Sequence, residues 1–409
     1  MSSTSTDLLA RVDSLAASLE PELIRVRRHL HAHPELSWHE HETQAFLSQW
    51  LESHGLEPHP IAKTGLYVDI GPPTAPIIYR ADIDALPILD RKNPDHVPYA
   101  STRAGVCHAC GHDVHSAIGA GVAALFGSLA DDLPGRVRVV FQPAEEVLPS
   151  GAEAIVREGG IDGARAAFAL HVDPTRETGT VGVRVGALTS ATDAFIIRVI
   201  GKSGHSARPF LANDAVLAAA DVVRAVYTIV PQHVDPMEPA VITIGRMNGG
   251  EAPNVIAGEM KLEGVLRCLD PDVRSMLHRQ MQVVTEAAAR VHDCRVELEM
   301  HHGAPPVMND PELASIVQYA ASDVLGEDHV HPIAKPSSGA EDFGRFGPET
   351  RTFMLRLGVR RRGDEIHHLH TPKFDVDERA MRHAVRIMSR SILRAFDTPG
   401  IGPERSPGE

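Results

Sequence analysis

Three short apolar runs in this chain each end in a cluster of carboxylates or a histidine. The runs and the residues that follow them are 76–80 with Asp82 and Asp84, 137–141 with Glu145 and Glu146, and 166–170 with His171. Runs of this length with polar ends are typical of buried strands in a parallel sheet. Loops that leave the carboxyl ends of such strands gather at one crevice. We therefore expect an α/β fold in which these side chains converge.

A second concentration of polar residues lies between Cys107 and His115, which reads Cys-His-Ala-Cys-Gly-His-Asp-Val-His. Thiolate and imidazole together suit zinc and other divalent transition metals. Cys107 and Cys110 also have the spacing of a redox dithiol, and ordinary hydrogen-bonded polar residues are a third reading. The apolar residues 114–129 have the length of a helix. The segment therefore indicates a loop that opens a buried helix, with metal binding favoured over the two alternatives.

Length, charge and cysteine content exclude several classes of protein. The 409 residues are enough for two or three domains. The formal net charge of −14 argues against a nucleic-acid partner, since no basic stripe is present to neutralise phosphates. We find no apolar run long enough to cross a membrane and expect no membrane association. Four cysteines and no apolar signal segment before Leu8 point to the cytoplasm.

The middle of the chain follows a different pattern from its two ends. Predicted strands and helices alternate there as βαββαβ, over 193–200, 213–230, 240–247, 254–268, 271–292 and 294–301. This is the ferredoxin-like order, in a unit of the size of an inserted domain. We therefore expect residues 187–302 to be an insertion in a discontinuous domain formed by 1–186 and 303–409.

Several of these residues have ordinary explanations when they are considered singly. Adjacent glutamates such as Glu145 and Glu146 usually begin a solvated helix. Here they follow an apolar strand, where one carboxylate can bind a metal while the other accepts a proton from water. His205 and Asn254 lie in Gly-rich turns, which are commonly only turns.

Seven motifs, in this order and spacing, resemble the metallopeptidases of clan MH, family M20. The similarity is to the amidohydrolase subfamily that includes hippurate hydrolase, auxin-conjugate hydrolases and N-acetyldiaminopimelate deacetylase. The motifs are Arg80-Ala-Asp-Ile-Asp84-Ala-Leu-Pro, His108-Ala-Cys110-Gly-His112-Asp, Phe141-Gln-Pro-Ala-Glu145-Glu146, Gly204-His205, Ala252-Pro-Asn254-Val, Ala340-Glu-Asp342-Phe and His370-Thr-Pro-Lys-Phe374. They span nearly the whole chain.

The resemblance implies a zinc-peptidase-like α/β/α catalytic domain with two divalent metal ions, and an inserted domain that forms a homodimer or a tetramer. It implies Glu145 as the general base, Asp84 behind the metal site, and His205 reaching the partner's active site beside a substrate-contacting Asn254. The implied metal ligands are Cys110, His112, Glu146, His171 and His370. Cys107, His108, Asp113 and His115 are then expected to pack around the ligands or to orient the helix.

The implied activity is hydrolysis of an N-acyl amino acid to a carboxylic acid and a free amino acid. A dipeptidase or carboxypeptidase of the same fold is the alternative within enzymes, and a metal-binding protein without the chemistry is the alternative outside them. Zinc or manganese suits the ligands, and cobalt or nickel also fits. The chain departs from the family pattern at 147–150, Val-Leu-Pro-Ser in place of glycines, and at Ala340 in place of serine. These departures concern the substrate, because the metal ligands are intact.

Overall fold

A computed structural model describes residues 3–92 and 97–401, with side chains from residue 7. The chain divides into two compact units. Unit 1 comprises Met1–Gly186, Met308–Lys335 and Asp342–Glu409, and unit 2 comprises Ala187–Val307 and Pro336–Glu341.

The helices and strands are numbered along the whole chain. The helices are α1 Ser3–Ala32, α2 His41–Ser53, α3 His112–Gly127, α4 Gly151–Arg157, α5 Ala215–His233, α6 Pro271–Arg290, α7 Pro311–Leu325 and α8 Arg379–Phe396. The strands are β1 Pro58–Ile61, β2 Gly65–Ile70, β3 Ile77–Asp82, β4 Val137–Gln142, β5 Ala166–Glu177, β6 Val181–Val183, β7 Gly186–Ala187, β8 Ala191–Ile200, β9 Gly204–His205, β10 Ala240–Gly249, β11 Val255–Ile256, β12 Glu259–Cys268, β13 Arg295–His301, β14 Met308–Asn309, β15 Val330–Pro332 and β16 Arg351–Arg360.

Unit 1 is built on a mixed sheet whose centre is parallel. Its strands follow the order β1-β2-β4-β3-β5-β16. Strand β3 is parallel to both β4 and β5, and β5 is parallel to β16. All side chains of β3 and β4 are buried, as expected for strands covered on both faces. The carboxyl ends of β3, β4 and β5 therefore lie at one edge of the sheet, which confirms the predicted α/β class.

Helix α3 lies between this sheet and two other helices, and small residues make the close packing possible. A methyl group at Gly119 would lie 3.0 Å from the side chain of Ala81 in β3. A methyl group at Gly121 would lie 2.9 Å from Leu23 of α1 and 2.9 Å from Val385 of α8. Because residues 112–126 are buried, α3 is a fixed support for the loop at its N-terminus.

Unit 2 has the predicted strand and helix order βαββαβ, formed by β8, α5, β10, β12, α6 and β13. Its antiparallel sheet follows the order β10-β12-β8-β13. Asp214 and Asp270 accept hydrogen bonds from the first backbone N–H groups of α5 and α6, so each helix begins at a capping carboxylate. The alternating burial of β8 places one face of the sheet against these helices.

Two details of unit 2 differ from the sequence-based expectations. The chain returns to unit 1 at Met308, and the short segment Pro336–Glu341 belongs with unit 2. The segment expected to be one strand over 254–268 is divided into β11 and β12. Strand β11 pairs with β9, whereas β12 pairs with β8 and β10. The division separates a small two-stranded turn from the main sheet.

Helix α5 has the length and apolar composition of a membrane-spanning helix, with a mean hydropathy of 1.3 over its most apolar window. It is the one such helix in the described part of the chain. The expectation that no run reaches this length is therefore wrong for residues 215–233. The buried side chains of α5 belong to the core of unit 2, as in a core helix of a globular domain.

The buried carboxylate of Asp193, on β8, contacts both α6 and the segment that follows β13. Asp193 is fully buried and accepts hydrogen bonds from Arg274 Nε at 2.8 Å and from the backbone N–H of Gly303 at 2.9 Å. His278 Nε2 lies 2.7 Å from the same carboxylate. Burial alone would raise the pKa of Asp193, but Arg274 and His278 outweigh burial and hold it far below 3.8.

We expect Asp193→Asn to destabilise unit 2 by roughly 3 kcal/mol at neutral pH, because Arg274 loses its buried counter-charge. A carboxyl with a depressed folded-state pKa stabilises the fold above its ordinary pKa of 3.8, and this stability is lost as the pH falls below that value. The difference between variant and wild type should therefore shrink in acid. Urea unfolding followed by circular dichroism at a series of pH values measures it.

Asp221→Asn is the matched control, since Asp221 is 41% exposed and pairs with His292 at the surface of the same unit. It should change the unfolding free energy by less than about 1 kcal/mol. Equal effects of the two substitutions at neutral pH would contradict a stabilising role for the buried pair.

Candidate metal centre

The loop that precedes α3 turns at a glycine in the left-handed backbone conformation. Gly111 has φ 87° and is the residue before the first helical residue, His112. A side chain at Gly111 would also meet Val172, whose Cγ2 lies 2.5 Å from the position of a Cβ. Only glycine adopts this conformation without strain and fits this space. The turn places Cys110 and His112 on either side of Gly111, at the edge where β5 passes.

The sulfur of Cys110 lies between two histidines from distant parts of unit 1. Its Sγ is 3.5 Å from His171 Nε2 and 3.2 Å from His370 Nε2. The Nδ1 atom of His171 lies 2.9 Å from the backbone oxygen of Val172 and donates its proton there. The Nε2 atom of His171 is therefore the nitrogen directed to the sulfur, and it carries the lone pair that a metal needs.

Strand β4 places two glutamates at the same edge. Glu146 has an exposed fraction of 12%, and its Oε1 lies 3.2 Å from Nε2 of His370 and 4.0 Å from Nε2 of His112. Glu145 Oε1 accepts a hydrogen bond from the backbone N–H of Asp342 at 3.4 Å. Glu145 also lies near the histidines, since one of its carboxylate oxygens is within 4.8 Å of a ring nitrogen of His112 and of a carboxylate oxygen of Glu146.

His171 lies within β5 and not beyond its end, which differs from the expectation. Strand β5 continues to Glu177 because it pairs with β16 through this region, with His171 opposite Arg356. On its other side β5 pairs with β3 only from Ala166 to Ala169. At His171, strand β5 therefore still pairs with β16 but no longer pairs with β3. The backbone of His171 is held on the β16 side only.

His370 closes the group from the C-terminal part of the chain. It has φ 60°, a left-handed conformation that is uncommon outside glycine, and its backbone N–H donates to Ala109 at 2.8 Å. Its side chain is 51% exposed, whereas Cys110, His112 and His171 are buried. The Glu146 carboxylate raises the pKa of His370. The cluster therefore opens to solvent on the His370 side.

The donor atoms of these side chains are close enough to hold metal ions. Two groups whose ligand atoms all lie within 4.8 Å of one another share Cys110: one adds His112 and His171, the other Glu146 and His370. The buried Nε2 of His112 has no hydrogen-bond partner among the described residues. A buried nitrogen without a partner is unfavourable unless it binds something, so these residues fit the binding of divalent metal ions.

Burial sets the charge state of the ligands before a metal binds. Burial raises the pKa of the Cys110 thiol well above its ordinary value, although His112 acts against it. Burial, together with Arg356, lowers the pKa of His171 well below 6.5. At His112 burial is outweighed by Asp82 and Cys110, which raise its pKa. His171 is thus ready as a neutral ligand, whereas Cys110 and His112 must release protons when metal binds.

Asp84 contacts the ring of His112 and the backbone of Glu146. Both its backbone oxygen, at 2.9 Å, and its Oδ1, at 3.1 Å, lie near His112 Nδ1. This contact directs the proton of the ring away from the cluster and leaves Nε2 facing it. The other carboxylate oxygen accepts from Ser37 Oγ at 2.7 Å and from the backbone N–H of Glu146 at 3.1 Å. One carboxylate thus contacts both the ring of His112 and the backbone of Glu146.

The histidine and acid that follow His112 contact other parts of unit 1. Asp113 accepts from Arg27 Nε at 2.8 Å and lies 2.7 Å from His31 Nδ1. His115 Nδ1 lies 2.6 Å from Asp82. Both residues are buried and hold the start of α3, as the sequence analysis expected of them.

A buried polar network that was not predicted from the sequence lies next to the cluster. The guanidinium of Arg80 donates to Asp82 at 2.6 Å, to Gln142 at 2.8 Å and to Asp342 at 2.7 Å. Arg80, Gln142 and Asp342 each lie inside one of the motifs quoted above, so the sequence did mark these positions. It did not indicate that the three side chains contact one another.

His205 and Asn254 lie together in unit 2 and are exposed. The pairing of β9 with β11 places His205 opposite Val255, and the backbone N–H of Ser206 donates to the backbone oxygen of Asn254 at 3.2 Å. His205 Nδ1 accepts a hydrogen bond from the backbone N–H of Ala207 at 3.1 Å. A neutral His205 ring with this contact carries its proton on Nε2.

Comparison with known proteins gives one consistent result. The model of the family described as "Peptidase family M20/M25/M40" matches residues 78–394. N-acetyl-L-cysteine deacetylase of Bacillus subtilis (strain 168) is 37% identical over 93% of this chain and 90% of its own length. N-acetyldiaminopimelate deacetylase of Lactiplantibacillus plantarum is 35% identical over 90% of this chain and 94% of its own.

A solved structure agrees with these relatives. A Bacillus subtilis protein described as a dinuclear metal binding peptidase from the M20 family has a TM-score of 0.79 and 31% identity, over 93% of this chain and 99% of its own. The family match covers well over half of the chain and contains the whole cluster. The chain therefore belongs to peptidase family M20/M25/M40.

Proposed function

We propose that this protein is a metal-dependent amidohydrolase that cleaves N-acyl amino acids to a carboxylic acid and a free amino acid. The observation that carries the proposal is the pair of ligand groups sharing Cys110, with Glu145 next to them: one of its carboxylate oxygens lies within 4.8 Å of donor atoms of His112 and Glu146. The relatives named above deacetylate N-acetyl amino acids. Zinc or manganese is the proposed metal, with cobalt and nickel also compatible with Cys, His and Glu ligation.

Five side chains of unit 1 are proposed to hold the ions: Cys110, His112, Glu146, His171 and His370. The ions, when bound, supply Lewis-acid activation of the attacking water and of the amide carbonyl. Glu145 accepts a proton from the water and returns it to the leaving amine, which is general acid–base catalysis by one carboxylate. Asp84 keeps the ring of His112 oriented throughout.

We propose that unit 2 forms a homodimer and brings His205 and Asn254 to the partner's substrate. Strand β10 is the last strand in its sheet order, and its residues 245–249 are exposed. An unpaired strand edge of this length is suited to pairing with another chain. The proton on Nε2 of His205 suits it to donate a hydrogen bond to the oxyanion. A cytoplasmic location agrees with four unpaired thiols in the described chain.

We propose that the acyl group is apolar and longer than acetyl. Val147 and Leu148 directly follow Glu146, and their exposed fractions are 39% and 58%. When an apolar acyl group binds against exposed apolar side chains, both surfaces are removed from water, and this stabilises the complex. Their position is where this chain departs from the glycines common in the family.

Initial rates on a substrate panel test this function. N-acyl amino acids should be cleaved faster than dipeptides, and kcat/KM should rise from acetyl to butanoyl to hexanoyl by up to about fourfold per buried methylene, since each contributes about 0.8 kcal/mol. A clear preference for dipeptides would instead support a peptidase of the same fold. Absence of turnover with zinc and with manganese over the whole panel would support a metal-binding protein without catalysis.

Two neighbouring substitutions should differ in their effect on the metal content. Glu145→Gln should keep the metal content and lower kcat by about 100- to 10,000-fold, because it removes the proton acceptor. Glu146→Ala should lower the metal content itself, because it removes a ligand. Metal analysis by mass spectrometry, with kcat on the same samples, separates the two outcomes.

Glu153→Gln is the control, since Glu153 lies on α4 and contacts Arg345 at 3.5 Å near the surface. This substitution should leave both the metal content and kcat unchanged. Near-wild-type turnover by Glu145→Gln would contradict its assignment as the general base.

Mixing variants tests the shared site. If His205 serves the partner, a heterodimer of Glu145→Gln and His205→Ala chains contains one site with both residues intact. Random subunit exchange should then restore up to about one quarter of wild-type activity. Each variant alone should be nearly inactive, and a chain with both substitutions should rescue neither. Verified exchange without any rescue would show that His205 does not act across subunits.

A further inference from the structure

Glu40 is a fully buried carboxylate at a position to which the function above gives no role. Its Oε1 accepts a hydrogen bond from the backbone N–H of Ala144 at 2.8 Å, and its Oε2 accepts from Thr64 Oγ1 at 2.6 Å. Ala144 precedes the proposed general base, Glu145. The buried acid therefore contacts the backbone next to the reacting carboxylate and not the carboxylate itself.

An ordinary structural reading of Glu40 would be capping of helix α2, because Glu40 is the residue before its first helical residue. The structure does not support this reading. The side chain of Glu40 makes no capping hydrogen bond to α2. Both carboxylate oxygens are directed away from that helix, to Ala144 and to Thr64.

The backbone at Ala144 is strained, so it needs such a contact. Ala144 has φ 49°, in the left-handed region that a residue with a side chain enters at a cost of roughly 1–2 kcal/mol. Its carbonyl oxygen accepts from the backbone N–H of Gly151 at 2.9 Å, which closes the loop 144–151. Glu40 holds the amide nitrogen of the same residue. Because both the N–H and the carbonyl oxygen of Ala144 are hydrogen-bonded, its strained conformation is kept and determines the direction of the chain at Glu145.

The segment that carries Glu40 makes two further contacts with the site. Ser37 Oγ donates to Asp84 at 2.7 Å. The indole Nε1 of Trp38 donates to the backbone oxygen of Pro149 at 3.0 Å, within the loop 144–151. The connection between α1 and α2 thus reaches both the acid behind His112 and the loop that carries the two glutamates.

We propose that Glu40 is a positioning residue for catalysis: by accepting the N–H of Ala144 it fixes the loop 144–151 and so aims the carboxylate of Glu145. The proposal rests on the proposed function for its effect on turnover. The geometric part, that Glu40 protects and orders the loop, stands independently of any substrate.

Three variants test the proposal. Glu40→Ala removes the acceptor, and kcat should fall roughly 10- to 100-fold, the size expected when a catalytic group is misplaced by about 1 Å. KM and metal content should stay at their wild-type values. Glu40→Gln keeps an oxygen that can accept from Ala144 and should restore most of kcat. Glu35→Ala is the matched control, because Glu35 is also buried and accepts a backbone N–H, that of Thr43 in α2, at 2.8 Å.

Hydrogen–deuterium exchange supplies a measurement that does not depend on activity. Exchange of the peptide that contains the loop 144–151 should be faster in Glu40→Ala than in the wild type, Glu40→Gln or Glu35→Ala. Glu35→Ala should lower the melting temperature without changing kcat or this exchange. Loss of kcat in Glu40→Ala with rescue in Glu40→Gln would support positioning by the acceptor.

The proposal is overturned if kcat per metal-loaded Glu40→Ala molecule stays within about twofold of wild type, or if Glu40→Gln is as impaired as Glu40→Ala. It is also overturned if loop exchange is the same in all variants. Wild-type protein that cleaves no substrate would refute the proposed function alone. In that case the exchange measurement still decides whether Glu40 orders the loop.

Discussion

The edge of the central sheet is held together by hydrogen bonds from the buried guanidinium of Arg80. Arg80 is 1% exposed and joins Asp82 of its own strand, Gln142 at the end of β4 and Asp342 from the C-terminal part of unit 1. A charged group this deep is tolerated only with full pairing, and loss of one partner costs about 3–5 kcal/mol. The strand ends that carry the site are therefore held by charge as well as by the sheet.

The loop 144–151 and the residue after it are fixed by three hydrogen bonds of the same kind. Three buried carboxylates from separate segments each accept a backbone N–H there: Glu40 from Ala144, Asp84 from Glu146, and Asp342 from Ala152. A loop would otherwise be mobile, since loops have few buried contacts of their own. The segment that carries Glu145 and Glu146 has no regular secondary structure and is thus held by contacts from three other parts of the chain.

Much of this arrangement could be predicted from the sequence, because parallel strands impose a simple rule. Apolar runs ending in acids and histidines implied that those residues meet at one edge, and β3, β4 and β5 do so. Cys110 and His112 were recognisable because their types and spacing suit metals. His370 was accessible only through family resemblance, since nothing local connects it to a residue 260 positions earlier in the chain.

Other features could not be predicted because they depend on tertiary contacts. His171 was expected after a strand but lies inside one, since β5 has a longer pairing with β16 than with β3. Glu40 lies in the run His39-Glu-His-Glu42, which gives no sign of a contact with Ala144, 104 positions later, so this contact becomes visible only in the folded chain. Helix α5 has the composition of a membrane span, yet its apolar face contributes to the core of unit 2.

The late position of His370 has a consequence for synthesis on the ribosome. Cys110, His112, Glu146 and His171 are translated long before His370, and β5 lacks its longest-paired neighbour until residues 351–360 of β16 have emerged. The nascent chain therefore contains four of the five proposed ligands until residue 370 has been added. The full set of proposed ligands is therefore present only once nearly the whole chain has been made.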